Sequence, residues 1–178
     1  MTLNCQCEVI ESMLLVNLQI DGPLCVMKQK DWHSMKRNCY VFDMDFTLAD
    51  SSPREHLIPT DPTRTENWHE WNKHAELDIP IQHTVNVLMS LYALGFDICI
   101  ATVRGEHGFD YTQDWLRQRG IPGEKLYMRV EGDTRPAHEV KEEIFSEISD
   151  NHNILAAFDD DPKVVAHLRS LGYKMFNA

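Results

Sequence analysis

Asp43-Met44-Asp45-Phe46-Thr47-Leu48 follows an apolar run, Cys39-Tyr40-Val41-Phe42, that reads as a buried β-strand. Two carboxylates two residues apart then stand at the strand's carboxyl edge, where ligands bind in open α/β sheets. They repel each other there unless a cation lies between them. Magnesium takes such oxygen ligands together with a substrate phosphate. One carboxylate can then attack phosphorus while the other moves the proton. The plain alternative is a strand end followed by an Asp-capped turn. The strand before the pair and Thr47-Leu48 after it favour the chemical reading.

Three other stretches carry matching chemistry. Thr102 falls just past a second apolar run, 96–101, in Ala101-Thr102-Val103-Arg104-Gly105. A hydroxyl there can donate to a phosphoryl oxygen, and Arg104 can pair with a phosphate; a turn with a solvated Arg is the other reading. Lys141, in Val140-Lys141-Glu142-Glu143-Ile144, is placed to clamp a phosphate from near a helix start, although a single lysine is more often surface. Asp159-Asp160-Asp161 ends a further strand. Asp161 precedes Pro162 and fits a helix N-cap. Asp159 and Asp160 have no such explanation, and metal binding accounts for them.

The elements that must position these residues alternate along the chain. Pro80 is expected to open a helix with Ile81, Val85, Leu88, Leu91 and Tyr92 on one face, ended by Gly95. After the strand at 96–101, a helix over 112–119 turns Trp115 and Leu116 inward and stops at Gly120. A strand at 126–130 precedes a stripe of Val140, Ile144, Phe145 and Ile148. A strand at 154–158, a helix carrying Val164, Val165, Leu168 and Leu171, and a short strand at 173–176 complete the order. Strands alternating with helices imply a parallel sheet with right-handed crossovers, an α/β fold.

Two regions fall outside this alternation. Residues 1–38 form an N-terminal extension with no clear period beyond a hairpin signal at Asp21-Gly22. Residues 49–79 are too long for a plain connection. A small cap or lid is the preferred reading, over an ordered surface excursion. Trp68 and Trp71 in it are either a packing core or a stacking surface for a base.

The 178 residues suit one domain with a real core. The best apolar run, 13–20, is too short to span a membrane, and Glu8 and Glu11 precede it where a signal peptide carries positive charge. The five cysteines are odd in number and scattered, which points to a reducing cytoplasm; Cys39 and Cys99 lie in expected strands as buried thiols. The net charge of −11 argues against a broad nucleic-acid-binding face, though not against recognition of one nucleotide at a chain end.

Strand-DxDxT, strand-Thr, Lys, and strand-Asp-Asp, in this order over residues 39–176, resembles the haloacid-dehalogenase-like phosphatase superfamily. A closer likeness is to the 3′-phosphatase domain of bacteriophage polynucleotide kinase-phosphatases. It is carried by Leu91-Tyr92-Ala93-Leu94-Gly95, Ala101-Thr102-Val103-Arg104-Gly105-Glu106, Gly132-Asp133-Thr134-Arg135, Val140-Lys141-Glu142-Glu143-Ile144-Phe145, Phe158-Asp159-Asp160, and Arg54 eleven residues after Asp43. The resemblance implies a Rossmann-like parallel sheet with helices on both faces over 39–178, with 49–79 as the small cap. It implies Asp43 as nucleophile forming an aspartyl-phosphate and Asp45 as general acid, then base. Thr102 and Lys141 would hold the phosphoryl oxygens. Mg2+ would sit on Asp43, the Asp45 carbonyl and Asp159, with Asp160 as a further candidate ligand. Arg54 and Arg104 would face substrate. Asp45 is expected to have its pKa raised by the neighbouring carboxylate, as an acid requires.

The chain departs from that pattern in places. Phe46 stands where the family has Gly, Pro136-Ala137-His138 where it has Lys-Asp-Asp, and Asp161 where it has Arg. No Gly-x-x-x-x-Gly-Lys-Ser/Thr loop occurs, so a kinase half is not expected within these residues. Three functions remain open: a polynucleotide 3′-phosphatase, a phosphatase of free nucleotides or other small phosphoesters, and an inert binding protein on the same fold.

Overall fold

The computed structural model describes residues 7–10, 13–16 and 36–178. The contacts divide the chain into two units, residues 1–36 and 37–178. In the first, β1 (Cys7–Ile10) and β2 (Met13–Val16) pair antiparallel, with Cys7 opposite Val16. The hairpin expected at Asp21-Gly22 lies outside the described residues.

The second unit is built on five parallel strands: β3 (Arg37–Phe42), β6 (Asp97–Gly105), β7 (Leu126–Arg129), β8 (His152–Asp159) and β9 (Met175–Asn177). Their order is β7-β6-β3-β8-β9, so β3 is central and reads as a continuous apolar run. Alternation along the strands sends side chains to two faces. Cys39, Val41, Cys99, Ala101 and Ala157 point to one. There they meet Val140, Ile144, Phe145 and Ile148 of α4 (Ala137–Asn151) and Val164, Val165 and Leu168 of α5 (Pro162–Ser170). Phe42, Ile98 and Ile100 point to the other. There they meet Val85 and Leu88 of α2 (Gln82–Ala93) and Trp115 and Leu116 of α3 (Phe109–Gln118). Each such aliphatic side chain, fully buried, contributes about 1.5–3 kcal/mol, so both faces hold the sheet. Helices on both faces of a parallel sheet are the expected α/β architecture, and Cys39 and Cys99 are buried free thiols as expected.

Several boundaries differ from the sequence reading. Pro80 does not open a helix. With Ile79 it forms β5 (Ile79–Pro80), paired antiparallel with β4 (Ala49–Asp50), and the helix begins at Gln82. Tyr92 does not join the inward face: it is 49% exposed, because α2 buries a narrower stripe of Thr84, Val85 and Leu88. Gly95 ends that helix at φ 86°, a conformation that frees its N–H to bond Tyr92 O and that of Phe96 to bond Leu91 O. β6 runs on past Ala101 to Gly105, so Thr102 and Arg104 lie in the strand rather than after it. Its ladder to β7 is irregular between Ala101 and Gly105, where the apolar pattern fails.

Residues 51–78 are built from short 3-10 turns around one short helix, α1 (His69–Lys73). Their anchor is polar. Arg54, fully buried, donates to both carboxylate oxygens of Asp78 and to Trp71 O (2.6 Å), and lies 4.1 Å over the Trp71 ring.

Candidate active site

The site residues gather where β3, β6 and β8 reach their carboxyl ends. Asp43 follows β3 directly, and its backbone N–H donates to Phe158 O of β8 (2.9 Å). Asp159 is the last residue of β8. Lys141 comes from the first turns of α4, yet it is 2% exposed. Its ammonium donates to Asp43 Oδ1 (2.6 Å), Ala101 O (2.5 Å) and Asp159 Oδ2 (3.0 Å). Burying an ammonium is tolerable only with such partners. Burial alone would lower the Lys141 pKa, and the two carboxylates outweigh it, so the group stays charged. Burial pushes Asp43 up, with Asp159 adding to it and Lys141 opposing. One ammonium thus serves two carboxylates, and a third stands beside them. Oxygens of Asp43, Asp159 and Asp160 lie within 4.8 Å of one another. Burial and Asp159 push half-buried Asp160 up to about 6. This excess of negative charge on an all-oxygen donor set fits a hard divalent cation. Asp161 caps α5 by accepting from Lys163 N–H (2.8 Å), the role its place before Pro162 suggested.

Asp45 lies in a different setting. Its Oδ1 accepts from Ser51 Oγ (2.5 Å), Arg104 Nη2 (2.6 Å) and Arg54 Nη2 (3.1 Å), and its Oδ2 from Arg104 Nε (2.8 Å). Burial would raise this carboxyl, but Arg104, then Arg54 and Ser51, hold it at about 2. The expected upward shift is therefore reversed: the neighbours that matter are two guanidiniums, not Asp43. The Asp45 carboxylate is also not among the clustered metal-ligating groups, which leaves only its carbonyl for that expected role.

The two arginines are deeply placed: Arg54 is 0% and Arg104 5% exposed, and of the two only Arg104 lines the cavity over Asp45. Arg104 Nη2 also donates to Asp78 Oδ2 (2.7 Å) and Nη1 to Thr112 Oγ1 (3.2 Å). Asp78 joins the pair from below, and its own carbonyl accepts from Trp115 Nε1 (3.1 Å) and Arg119 Nη2 (2.9 Å). Both guanidiniums are shared between Asp45 and Asp78, Arg104 with two contacts to Asp45 and Arg54 with one. Sequence reasoning missed Asp78, although two buried arginines near one carboxylate require a second. Thr102 is buried, with its Oγ1 accepting from Arg104 N–H (3.2 Å).

A cavity of about 440 Å³ opens over Asp45 and Arg104. Phe46, Ile58, Trp68 and Val103 give it apolar walls. Arg129, another residue missed in the sequence, lines it too. Its guanidinium is held by the carbonyls of Val103 (3.2 Å), Asp133 (3.0 Å) and Arg135 (2.6 Å). Among the described residues no carboxylate oxygen forms an ion-pair contact with it, and the Asp133 carboxylate, paired directly with Arg135, acts on it from farther off.

A parallel sheet carrying paired carboxylates, a buried lysine and a second acidic pair at its carboxyl edge is the architecture of a haloacid-dehalogenase-type phosphatase domain. The sequence pattern of the polynucleotide kinase PNKP phosphatase domain matches residues 37–178, and the chain belongs to that family. No curated protein matches at the level of sequence. Among solved structures, the Pnkp1/Rnl/Hen1 RNA repair complex contains a similar chain at 21% identity and a TM-score of 0.67, covering 92% of this chain and 48% of that one. A second structure of the Pnkp1/Rnl/Hen1 complex matches at 20% identity and 0.66, covering 97% and 56%. The chain thus spans about half the length of these relatives. The class C acid phosphatase from Bacillus anthracis with tungstate bound shares the fold at 19% identity and 0.56, covering 83% and 68%. Among the described residues, no helix is long and apolar enough to cross a membrane.

Proposed function

We propose that this chain is a magnesium-dependent phosphomonoesterase that removes the 3′-phosphate from nucleic-acid ends. The observation that carries the chemistry is Lys141 bridging Asp43 and Asp159 at the edge of the sheet, with Asp160 beside them. The cation would be held by Asp43, Asp159 and Asp160, with the Asp45 carbonyl. When bound, it offsets charge on the phosphoryl oxygens.

The chain's own residues carry the steps. Lys141 holds Asp43 Oδ1, which leaves Oδ2 to attack phosphorus in line. The P–O bond to the ester oxygen breaks, and Asp45 gives that oxygen a proton. The Thr102 hydroxyl steadies an equatorial oxygen, and the Lys141 ammonium, whose three N–H groups are held by Asp43, Asp159 and Ala101 O, offsets charge on the others as a nearby cation. A water then attacks the aspartyl-phosphate, Asp45 takes its proton, and the bond between phosphorus and Asp43 breaks. The arginines keep Asp45 ionised in the free protein, which suits the second step. For the first, the incoming phosphate is a like charge close to Asp45 and raises its pKa. Residues 49–79, as a small cap, would close over the leaving group.

Arg129 favours a polymer end over a lone nucleotide, because an unpaired guanidinium in the cavity suits a second phosphate. The net charge of −11 favours the alternative, a phosphatase of free nucleotides. The test is hydrolysis of a 3′-phosphorylated oligonucleotide and of 3′- and 5′-mononucleotides, with magnesium or with chelator. Activity is expected only with magnesium, and to be lost in Asp43→Asn. Full activity in chelator or in that variant sinks the mechanism.

A further inference from the structure

Phe46 adopts φ 58°, the one positive φ at a non-glycine among the described residues. In that region Cβ crowds the backbone, a cost that glycine would not carry. The turn around it is fixed on every side. Phe46 N–H donates to Ala49 O (2.7 Å), and the N–H groups of Leu48 and Ala49 both donate to Met44 O (3.0 and 2.9 Å). Met44, Thr47 and Leu48 are fully buried. The ring of Phe46 is not: it is 42% exposed and lines the cavity with Ile58, Trp68 and Val103. Packing within the fold therefore does not explain an aromatic residue in a conformation that suits glycine. Strain of this kind that persists beside reactive groups points to a role in binding.

Its place in the chain says which part of a ligand it meets. Asp45, the preceding residue, is the group that would give its proton to the leaving oxygen. The ring therefore borders the leaving group, not the phosphate. A flat, exposed aromatic surface there is suited to a flat aromatic ligand, and base–aromatic stacking tolerates any base. We infer that Phe46 is a stacking platform for the terminal nucleobase of the leaving group, and so a specificity element of this chain. The inference rests on the phosphatase reading above.

The test compares wild type with Phe46→Gly, Phe46→Ala and Phe46→Trp on thymidine 3′-monophosphate and on glycerol 2-phosphate, which has no aromatic ring. The quantity read is the ratio of kcat/KM between the two substrates. Glycine and alanine should lower that ratio by about five- to 150-fold, the span of one base–aromatic stack, chiefly through KM. Tryptophan should preserve it. Phe46→Gly should also unfold at a higher temperature than Phe46→Ala, because only alanine keeps a Cβ in the left-handed region. A ratio that is unchanged across the variants, or that falls as far with tryptophan as with alanine, overturns the inference. Binding of thymidine 3′-monophosphate by calorimetry, to Asp43→Asn with and without Phe46→Gly, separates the two readings. If wild type hydrolyses neither substrate nor a 3′-phosphorylated oligonucleotide but affinity still falls with Phe46→Gly, the phosphatase reading fails and the platform stands. If hydrolysis is normal and affinity does not move, the platform fails and the phosphatase stands.

Discussion

Arg54 lies eleven residues after Asp43, and the family resemblance implies a guanidinium facing substrate there. The structure gives Arg54 another task, since all three of its nitrogens donate within the fold, to Asp78, Trp71 O, Ser51 and Asp45. Position along the chain was legible, but direction was not. A lone Arg reads as a phosphate ligand until the carboxylate that claims it is known, and Asp78 lies 24 residues further on. The same holds for Asp45, whose pKa was misjudged because Arg104, 59 residues away, decides it. The revised expectation for Arg54→Ala is a loss of about 3–5 kcal/mol of stability, because Asp78 stays buried with one partner fewer. It should lower kcat/KM on a nucleic-acid 3′-phosphate and on a small aryl phosphate by similar factors, since Asp45 is disturbed in both. Denaturant unfolding and a two-substrate comparison check this. A drop confined to the nucleic-acid substrate would return Arg54 to the binding surface.

At the scale of elements, the long apolar runs marked the strands of the parallel sheet, because buried parallel strands leave a near-continuous apolar signal; their order in the sheet came from the structure. The stripe at Val140, Ile144, Phe145 and Ile148 likewise gave α4 its inward face. Residues 51–78 resisted such a reading. Their 3-10 turns have no 3.6-residue period, and they are held by the buried Arg54–Asp78 pair more than by an apolar face. Trp68 and Trp71, read together as either core or stacking surface, part company. Trp71 is 5% exposed beneath Arg54, with the Trp68 ring edge-on at 5.6 Å. Trp68 is half-buried and held by its own Nε1 donating to Pro62 O (3.0 Å). Trp71→Ala should therefore cost about 3–5 kcal/mol, the range for a buried large ring, and Trp68→Ala clearly less. Trp68→Ala should instead raise KM, as it removes a cavity wall. Melting curves and steady-state kinetics on both variants check the split, which equal losses of stability would contradict.

Across the whole molecule, the two ends of the sheet do different work. The carboxyl edge gathers Asp43, Lys141, Asp159 and Asp160, while the amino edge is pinned by Asp97. That buried carboxylate accepts from Lys125, from Arg37 of β3 (2.8 Å) and from His152 of β8 (3.1 Å). Burial would raise its pKa, but Lys125, Arg37 and His152 lower it below the ordinary value of 3.8. A depressed folded pKa gives stability that is present above the unfolded value and lost as pH falls through the folded one. Asp97→Asn should thus be less stable than wild type at neutral pH. The gap should shrink as pH falls below about 4, and kcat should hold throughout. A gap that is constant with pH would remove the ion pairs as its source. The molecule's charge also sets how it meets a polymer. At a net charge of −11 there is no general pull on a polyanion, so attraction must be local to the cavity. Arg129 is the cavity cation available for a phosphate beyond the scissile one. Each such contact on a single strand adds roughly 0.7 to the salt slope, so the slope for oligonucleotide affinity should stay near one contact's worth. Along a 3′-phosphorylated length series, kcat/KM should rise from the mononucleotide to the dinucleotide, which first brings the second phosphate, and then level off within a few nucleotides. Arg129→Gln should erase that rise and flatten the salt dependence, with the mononucleotide rate little altered. If mononucleotides are hydrolysed far better than any oligomer, the nucleotidase reading takes over and Arg129 answers to a different ligand.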